Sequence, residues 1–351
     1  MIAVLLCWNI ALTVMVTRKD ETKQTGTDPV VVEQVIRGYT TDLTTIVEKS
    51  ESKVVQVKSF REGTLWQSAS GTIIGCEDGV VSIVSNHHVI EDSDTIHVIF
   101  DSGEEFTAEL VGTDPYTDVC LMKVNTGFDV TPFEFGDSSR VKKGEYCLSM
   151  GSPLGDTFKG SVTFGIISGK DRVIAVDIDH DGLDDWDVVT LQSSAALSPG
   201  CSGGPLINMA GDLIGINTYK VSSYEADGIN LAIPSDELKV IVETLEEDGS
   251  IVRPNLGLSV DDISTMTVYR KTYLGLNLEQ LDGVLVSRVS ANSAAGRAGI
   301  IEGDIIISIN DRTIETMRDY RNALYRIKAG DELQFTVIRN GAEVNVSVIA
   351  E

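Results

Sequence analysis

The chain has 351 residues, of which 42% are hydrophobic and 23% charged, and its formal net charge is −25 at pH 7. This length is enough for two or three domains with separate hydrophobic cores. The acidic charge argues against nucleic acid as a partner, because neutralising phosphates requires Lys and Arg, and it disfavours docking on anionic lipid. The five cysteines include no Cys-x-x-Cys pair, so the sequence predicts neither a disulfide framework nor a zinc site.

Residues 1–17 are predicted to be a membrane anchor or a signal-like segment. The run from Ile2 to Val16 carries no charge and is apolar apart from a few side chains such as Asn9. It is shorter than the roughly 17–25 residues of a typical transmembrane helix. A signal peptide would have basic residues before its apolar run, and none precedes this one. We favour an anchor, with a cleaved signal peptide or a buried helix as the alternatives. Residues 18–29 are polar and are predicted to be a linker.

Residues 30–250 have the pattern of a helix followed by many short strands, and we predict that they form one domain. Apolar positions at helical spacing predict a helix over 30–49. Many short apolar runs without long helices between them are typical of β-barrels or sandwiches. The predicted strands cover 54–57, 71–74, 80–84, 95–99, 119–124, 146–150, 162–167, 213–216 and 229–232. A helix over 235–245 would close the domain.

Residues 253–351 are predicted to form a second domain of mixed α and β structure. A helix is predicted near 317–327, followed by strands over 332–339 and 343–349. Asn340-Gly341 joins these two strands, and this dipeptide is typical of a tight two-residue hairpin turn.

Ser202 is the predicted nucleophile of a catalytic triad. It lies in Pro-Gly-Cys-Ser-Gly-Gly-Pro, where glycines without a Cβ allow the backbone N–H groups to converge on one point, as in an oxyanion hole. His88 follows an apolar strand-like run, and Asp118 lies further along, before Ser202. The order His, Asp, Ser is one of the known arrangements of the triad. The sequence therefore predicts His88 as general base and Asp118 as the residue that orients it.

Three segments that carry these residues resemble the HtrA/DegP family of trypsin-like serine proteases: Ser-Asn-His-His-Val-Ile, Thr-Asp-Val-Cys-Leu and Gly-Cys-Ser-Gly-Gly-Pro-Leu-Ile-Asn. The segments Met-Gly-Ser-Pro-Leu-Gly and Gly-Ile-Asn-Thr are similar to the family as well, and residues 253–351 resemble its PDZ domain. The resemblance covers about residues 30–351. It implies a mainly β protein, with a double β-barrel, trypsin-like protease domain followed by an α+β PDZ domain.

The resemblance also implies a function. We expect a serine endopeptidase that cleaves misfolded or unfolded envelope proteins, needs no cofactor, binds peptide C-termini at its PDZ domain and assembles as a homotrimer. The expected location is the bacterial cell membrane, single-pass, with the catalytic domain outside the cytoplasm. The positive charges after the apolar segment would by themselves place that domain in the cytoplasm. A peptide-binding chaperone or scaffold that does not cleave is the alternative.

The family pattern assigns further residues of the protease site. The N–H groups of Gly200, Cys201 and Ser202 would form the oxyanion hole, and Leu197 would line an apolar substrate pocket that favours cleavage after Val, Ala or Leu. The base of the family directly precedes Val, which selects His88 over its neighbour. His87 would point the other way if the backbone is extended there.

In the PDZ domain, Leu256, Gly257 and Leu258 resemble the loop that binds a peptide carboxylate while the peptide adds as a strand. The segment Tyr273–Leu276 has a similar sequence and is the alternative candidate for the carboxylate-binding loop.

An acidic segment in the protease domain carries a possible calcium site at Asp177, Asp179 and Asp181. Asp-x-Asp-x-Asp-Gly is the first half of a calcium-binding loop. The twelfth position of such a loop is normally Glu, and here it is Val188, so a solvated acidic hairpin is the alternative. The hypothesis is that calcium orders this segment and tunes activity.

Overall fold

The structure is a computed structural model. It describes residues 42–176, 186–220, 228–251, 256–279, 282–290, 292–325 and 327–351. The predicted anchor, the linker and most of the helix predicted over 30–49 lie outside these residues. Within them, no helix is both long enough and apolar enough to cross a membrane. The chain divides into two units, Met1–Thr45 and Ile46–Glu351, and the elements described below from strand β1 onward belong to the larger one. Helix α1 covers Asp42–Ser50.

The N-terminal part of the larger unit is a closed six-stranded β-barrel with strand order β1-β2-β3-β6-β5-β4. Its core is filled mainly by Val and Ile side chains that alternate with outward-facing residues along the strands, as a closed sheet requires. A four-residue helical turn, α2 (His87–Ile90), follows the third strand. The strands are β1 (Val54–Arg61), β2 (Thr64–Glu77), β3 (Val80–Ser85), β4 (Thr95–Ile99), β5 (Glu105–Asp114) and β6 (Val119–Asn125).

A second closed barrel follows, with strand order β10-β11-β12-β9-β8-β7. Helix α3 (Ser235–Asp248) comes directly after its last strand and ends at Gly249, whose left-handed φ of 72° is a common helix C-terminus. The strands are β7 (Tyr146–Gly151), β8 (Ser161–Val176), β9 (Trp186–Ser193), β10 (Pro205–Asn208), β11 (Leu213–Lys220) and β12 (Asn230–Pro234).

The C-terminal part is a six-stranded antiparallel sheet with short helices. The strand order is β13-β14-β15-β17-β18, with β16 paired to β15, so that β13 lies at one edge. Asn340 and Gly341 have φ of 52° and 79°, as the predicted tight turn requires. The elements are β13 (Leu258–Asp262), α4 (Val268–Tyr273), β14 (Val284–Val289), α5 (Ala294–Ala298), β15 (Ile305–Ile309), β16 (Arg312–Thr313), α6 (Met317–Leu324), β17 (Glu332–Arg339) and β18 (Ala342–Ile349). The prediction of two barrels followed by an α+β domain is confirmed.

The two barrels are joined by hydrogen bonds between strand β2 and the loop before β10. The N–H of Ser70 donates to the carbonyl oxygen of Ser202 at 3.0 Å, and Oγ1 of Thr72 donates to the carbonyl oxygen of Gly203 at 2.9 Å. Gly203 has a φ of 82°, and a Cβ there would lie 2.2 Å from the carbonyl oxygen of Ser70. This position therefore needs glycine for both its conformation and its close contact.

Gly112 is a second position where packing excludes a side chain. A Cβ at Gly112 would lie 2.3 Å from the carbonyl oxygen of Gly249. We expect Gly112→Ala to lower the free energy of unfolding by about 1–3 kcal/mol through overpacking. Gly75→Ala is the matched control, because both glycines lie at register irregularities of first-barrel strands and a Cβ at Gly75 would lie 3.4 Å from its nearest neighbour. Equal denaturation midpoints for the two variants would contradict the prediction.

Candidate active site

His88 and Asp118 lie side by side in the first barrel. Nδ1 of His88 is 2.8 Å from Oδ2 of Asp118 and 3.0 Å from its Oδ1. The backbone N–H of His88 also donates to Oδ1, at 2.9 Å. Because the carboxylate accepts from Nδ1, that nitrogen carries the proton. Nε2 then keeps a lone pair that can take a proton from a nucleophile.

Hydrogen bonds at both ends of Asp118 hold it in place. The residue is 3% exposed and has a left-handed φ of 57°. Its Oδ2 accepts from Oγ1 of Thr218 at 2.7 Å, and its carbonyl oxygen accepts from Nδ2 of Asn86, also at 2.7 Å. A left-handed conformation of a non-glycine residue costs free energy and persists where the surroundings fix it, which these contacts do.

Ser202 reaches the same place from the second barrel. Its hydroxyl donates to the carbonyl oxygen of Thr218 at 3.3 Å. Ser202 and His88 line one cavity of about 640 Å³. Thr218 therefore contacts both sides of the site, with its hydroxyl on Asp118 and its carbonyl on Ser202.

The residues before Ser202 form a tight turn. The N–H of Cys201 donates to the carbonyl oxygen of Ser198 at 2.9 Å, and Gly200 has a φ of 98°. Pro199 followed by a glycine with positive φ is the sequence and geometry of a type II turn. A Cβ at Gly200 would lie 2.7 Å from the carbonyl oxygen of Ser152. Glycine is therefore required at this position by both its conformation and its neighbours.

This turn leaves two N–H groups for an oxyanion. The carbonyl oxygen of Pro199 accepts from the N–H of Leu154 at 2.9 Å. The N–H of Gly200 lies on the other side of the same planar peptide and so points away from Leu154. Among the described residues, the N–H groups of Gly200 and Ser202 have no acceptor. The N–H of Cys201 is held within the turn, so we leave it out of the oxyanion hole.

The cavity is open to solvent and partly apolar. Leu65 and Leu154 line it and are 50% and 69% exposed, and Lys58 forms an ion pair with Asp156 at 2.7 Å on its wall. Leu197 is half-buried and is not among the lining residues. The lining residues are Lys58, Leu65, Gln67, Ser68, Ala69, His88, Leu154, Gly155, Asp156, Pro199, Gly200 and Ser202.

The pKa of His88 lies above its ordinary value. Burial of the ring acts to lower this pKa, but the hydrogen bond to Asp118, the charge of Asp118 and the charge of Glu91 together outweigh it. The side chain is 42% exposed, so it can exchange protons with solvent or substrate. The His88 imidazolium therefore loses its proton, and becomes able to act as a base, mainly at pH values above this raised pKa.

The cysteines near the site are not competing nucleophiles. Burial raises the pKa of the Cys201 thiol, and it raises the pKa of Cys147 to about 12. Cys120 is also fully buried, with a raised pKa. Thiolates are the reactive form of cysteine, so these side chains act as small apolar groups. Cys120, Cys147 and Cys201 are all free and buried.

The predicted direction of the His87 ring depended on an extended backbone at this residue. His87 lies in the helical turn α2 and not in an extended segment. Its N–H donates to the carbonyl oxygen of Asp118, and its Nδ1 is 2.7 Å from Oγ1 of Thr113. The ring is therefore held by Thr113, while the ring of His88 is held by the Asp118 carboxylate.

The proposed peptide-binding residues of the C-terminal domain lie at the start of its edge strand. Leu256 is buried, and its carbonyl oxygen accepts from the N–H of Ala295, while that of Gly257 accepts from Ser290. Leu258 begins β13. The alternative segment, Tyr273–Leu276, instead closes helix α4 and the turn after it.

Asp177, Asp179 and Asp181 lie outside the described residues, so the calcium hypothesis stays a prediction. In the part of the chain that the structure describes, no group of three or more His, Cys, Asp or Glu residues could hold a metal ion.

Two residues of this site were missed by sequence reasoning. Thr218 lies in the segment Gly-Ile-Asn-Thr, which carried the family resemblance but had been given no role. Ser70 lies in Ser68-Ala69-Ser70-Gly71, a run of small residues inside a long strand. Such a run is a weak signal of close backbone approach, because small side chains let another segment come near.

Comparison with known proteins matches both parts of the chain. Residues 69–216 match the family model "Trypsin-like peptidase domain", and residues 254–349 match the model "PDZ domain". A protein named "Serine protease Do-like HtrA" from Lactobacillus helveticus is 33% identical over 308 residues, which cover 87% of this chain and 72% of that protein. The chain belongs to the HtrA family of serine proteases.

Other comparisons agree with this membership. The protein named "Serine protease Do-like HtrB" from Bacillus subtilis is 40% identical over 78% of this chain, and the chain spans 59% of its length. A solved structure of "HtrA-type protease AlgW with tripeptide" has a TM-score of 0.66 and 29% identity, and covers 89% of this chain and 97% of that one. Further HtrA relatives are named as probable periplasmic serine endoproteases.

The raised pKa of His88 gives a testable pH dependence. Neutral His88 is the proposed base, so cleavage should rise with pH as the imidazolium loses its proton through a pKa above the ordinary histidine value. Asp118→Asn removes the main interaction that raises this pKa, so the midpoint should move to lower pH. The maximal rate should fall by about 10⁴-fold, because asparagine favours the wrong imidazole tautomer.

Glu91→Gln is the control for this pH profile. It removes only a more distant charge, so its midpoint should shift down by less than that of Asp118→Asn, with the maximal rate retained. Both profiles are measured as kcat/KM against pH with one peptide substrate. A midpoint that Asp118→Asn leaves in place or moves upward would refute the assignment.

Proposed function

We propose that this protein is a serine endopeptidase that cleaves unfolded or misfolded polypeptides through an acyl-enzyme formed on Ser202. The observation that carries the proposal is the hydrogen bond between His88 and the buried Asp118 carboxylate. His88 lines a cavity that Ser202 also lines. Membership of the HtrA family supports the same reaction. All groups that the chemistry needs belong to the chain, so the proposed reaction uses no cofactor.

The proposed reaction begins when the Ser202 hydroxyl turns from the carbonyl of Thr218 towards Nε2 of His88. Oγ then bonds to the carbonyl carbon of the substrate while its proton passes to Nε2. Asp118 keeps the imidazole in the required tautomer and stabilises the imidazolium. His88 returns the proton to the leaving amine as the C–N bond breaks, and a water molecule then hydrolyses the ester by the same route.

The N–H groups of Gly200 and Ser202 are the proposed donors to the oxyanion. Negative charge develops on the substrate carbonyl oxygen only as Oγ bonds to carbon, so donors aimed at that position stabilise the transition state more than the substrate. The type II turn supports this role, because it directs the Gly200 N–H away from Leu154. We retain Leu197 as a proposed element of the substrate pocket.

The C-terminal domain is proposed to bind peptide C-termini along β13. This strand lies at the edge of its sheet, which is where an extended peptide can add as a further strand. Leu256, Gly257 and Leu258, at the start of β13, are the proposed carboxylate-binding residues. The domain limits 30–250 and 253–351 remain part of the same proposal.

Assembly and location are also proposed from the family. We propose a homotrimer whose catalytic domain lies outside the cytoplasm, tethered to the bacterial membrane by residues 1–17. Relatives named as periplasmic support the extracytoplasmic location. A role in handling stress-damaged envelope proteins would follow from that location and from a preference for unfolded substrates.

Digestion of β-casein by the full chain tests the proposed activity. The wild type should cleave it, and Ser202→Ala should lose at least about 10⁴-fold in rate, because no nucleophile remains. His88→Gln should be similarly impaired. The neighbouring His87→Gln should retain cleavage, since the ring of His87 is held by Thr113.

Assays with and without millimolar Ca²⁺ test the calcium hypothesis in the same experiment.

Absence of cleavage by the wild type, or equal cleavage by Ser202→Ala, would contradict the proposal. The first result would favour the alternative, a peptide-binding chaperone that does not cleave. HtrA membership and the His88–Asp118 pair disfavour that alternative, because a chaperone has no use for an oriented base.

Peptide binding at β13 has a separate test. We expect a peptide with a free C-terminal carboxylate to bind at least about tenfold more tightly than its amidated form, since a charge-assisted hydrogen bond is worth about 1.5–3 kcal/mol. Calorimetry with Ser202→Ala measures both affinities without cleavage. Hydrogen exchange should slow at 256–262 in the presence of the free-acid peptide. Protection elsewhere only, or equal affinities, would contradict the assignment.

A further inference from the structure

The side chain of Ser70 joins the first barrel to the proposed oxyanion turn. Ser70 is fully buried in strand β2. Its Oγ lies 2.7 Å from the carbonyl oxygen of Gly200 and 2.8 Å from the backbone nitrogen of Ser152. A serine hydroxyl has one proton to give, and the Gly200 carbonyl can only accept. The Ser152 N–H therefore donates to Oγ, and Oγ donates to Gly200.

This contact completes the restraint of Gly200. The peptide plane before Gly200 is held by Leu154, whose N–H donates to the carbonyl of Pro199. The plane after Gly200 contains its own carbonyl and the N–H of Cys201. Ser70 holds the carbonyl at one end, and Ser198 accepts from the N–H at the other. Glycine rotates freely on either side of its Cα, so both planes need an external contact to keep the N–H in one direction.

We propose that Ser70 is a positioning residue that holds the Gly200 peptide in the conformation that stabilises the oxyanion. The inference rests on the proposed serine protease function. Ser70 does not contact substrate in this role, and it acts through the orientation of Gly200. Its effect should therefore appear in the transition state, where the oxyanion forms, and not in the binding of the substrate itself.

The backbone of Ser70 makes contacts that a side-chain substitution leaves intact. Its N–H donates to the carbonyl of Ser202 at 3.0 Å, and its carbonyl accepts from Oγ of Ser85 at 2.7 Å. Space around the hydroxyl is small, because a Cβ at Gly151 would lie 2.8 Å from it. Removal of the hydroxyl therefore takes away the hydrogen-bond partner of the Gly200 carbonyl and of the Ser152 N–H.

The test compares Ser70→Ala with Ser235→Ala in the full chain. Ser235 is also fully buried, and its Oγ donates to the carbonyl of Gly136 at the same distance of 2.7 Å. Gly136 does not line the cavity, whereas Gly200, the acceptor from Ser70, does. We expect Ser70→Ala to lower kcat by about 10- to 100-fold, less than the 10²–10³-fold of removing a donor outright. KM should stay within about twofold, and Ser235→Ala should keep the wild-type kcat.

A peptide boronate supplies a second measurement that a structural role alone would not change. Its tetrahedral adduct on Ser202 places an oxygen in the oxyanion hole, so its inhibition constant should weaken by the same factor as kcat for Ser70→Ala only. Thermal unfolding of both variants shows whether their losses of stability are similar. Equal kcat for the two alanine variants, or a change confined to KM, would overturn the inference.

Two further outcomes are distinguishable. If Ser70→Ala does not fold, Ser70→Cys is measured instead. Its thiol is a weaker donor, so an intermediate kcat is expected, and a wild-type kcat with wild-type boronate affinity would overturn the inference. A wild type that neither cleaves peptides nor binds the boronate would contradict the proposed function itself, and the inference with it.

Discussion

The close contact between the two barrels is the constraint on which the proposed active site depends. His88 and Asp118 belong to the first barrel and Ser202 to the second, so neither barrel contains a complete site. The contact is made by hydrogen bonds between residues that are 130 and 131 positions apart in sequence, from Ser70 to Gly200 and from Thr72 to Gly203. It requires glycine at Gly203, where any side chain would overlap the backbone of β2. Closing loops of this length costs entropy that only the folded barrels offset. Activity should therefore be lost as soon as either barrel unfolds.

Most strands could be predicted from the sequence because their signals are local, and the proposed triad was likewise assigned from local motifs. Strand β4 was predicted with its observed limits, 95–99, since its apolar positions alternate clearly and turn residues flank it. Strand β5 (Glu105–Asp114) was not predicted, although its first six residues alternate between polar and apolar, because most of its residues are exposed or half-buried and several are charged. His87 lies in a helical turn, so the extended backbone on which the predicted direction of its ring depended is absent. The preceding strand ends at Ser85, and the chain turns there so that the N–H groups of His87 and His88 meet Asp118.

The roles of Thr218 and Ser70 could not be predicted in the same way. A Ser or Thr in a strand is common, and its function depends on the partner that the fold brings to it. The partner of Thr218 is Asp118, 100 positions away, and the partner of Ser70 is Gly200, 130 positions away. Nothing in the local sequence distinguishes these hydroxyls from that of Ser235, which makes a similar bond to a residue outside the cavity lining. Their importance follows from which carbonyl or carboxylate they fix.

The two proposed binding sites favour the same kind of substrate for the same physical reason. Peptide addition along β13 requires an extended backbone with unpaired N–H and C=O groups. Cleavage at Ser202 requires a segment that can enter a cavity between the two barrels and place its carbonyl next to the Gly200 N–H. Folded proteins pair most of their backbone groups internally and protect their strand edges, so both requirements exclude them.

The exposed Leu65 and Leu154 at the cavity add apolar contact that an unfolded chain can match with its own exposed core residues. A preference for unfolded polypeptides therefore needs no recognition of a particular sequence, because the accessible backbone and apolar side chains of the substrate are sufficient.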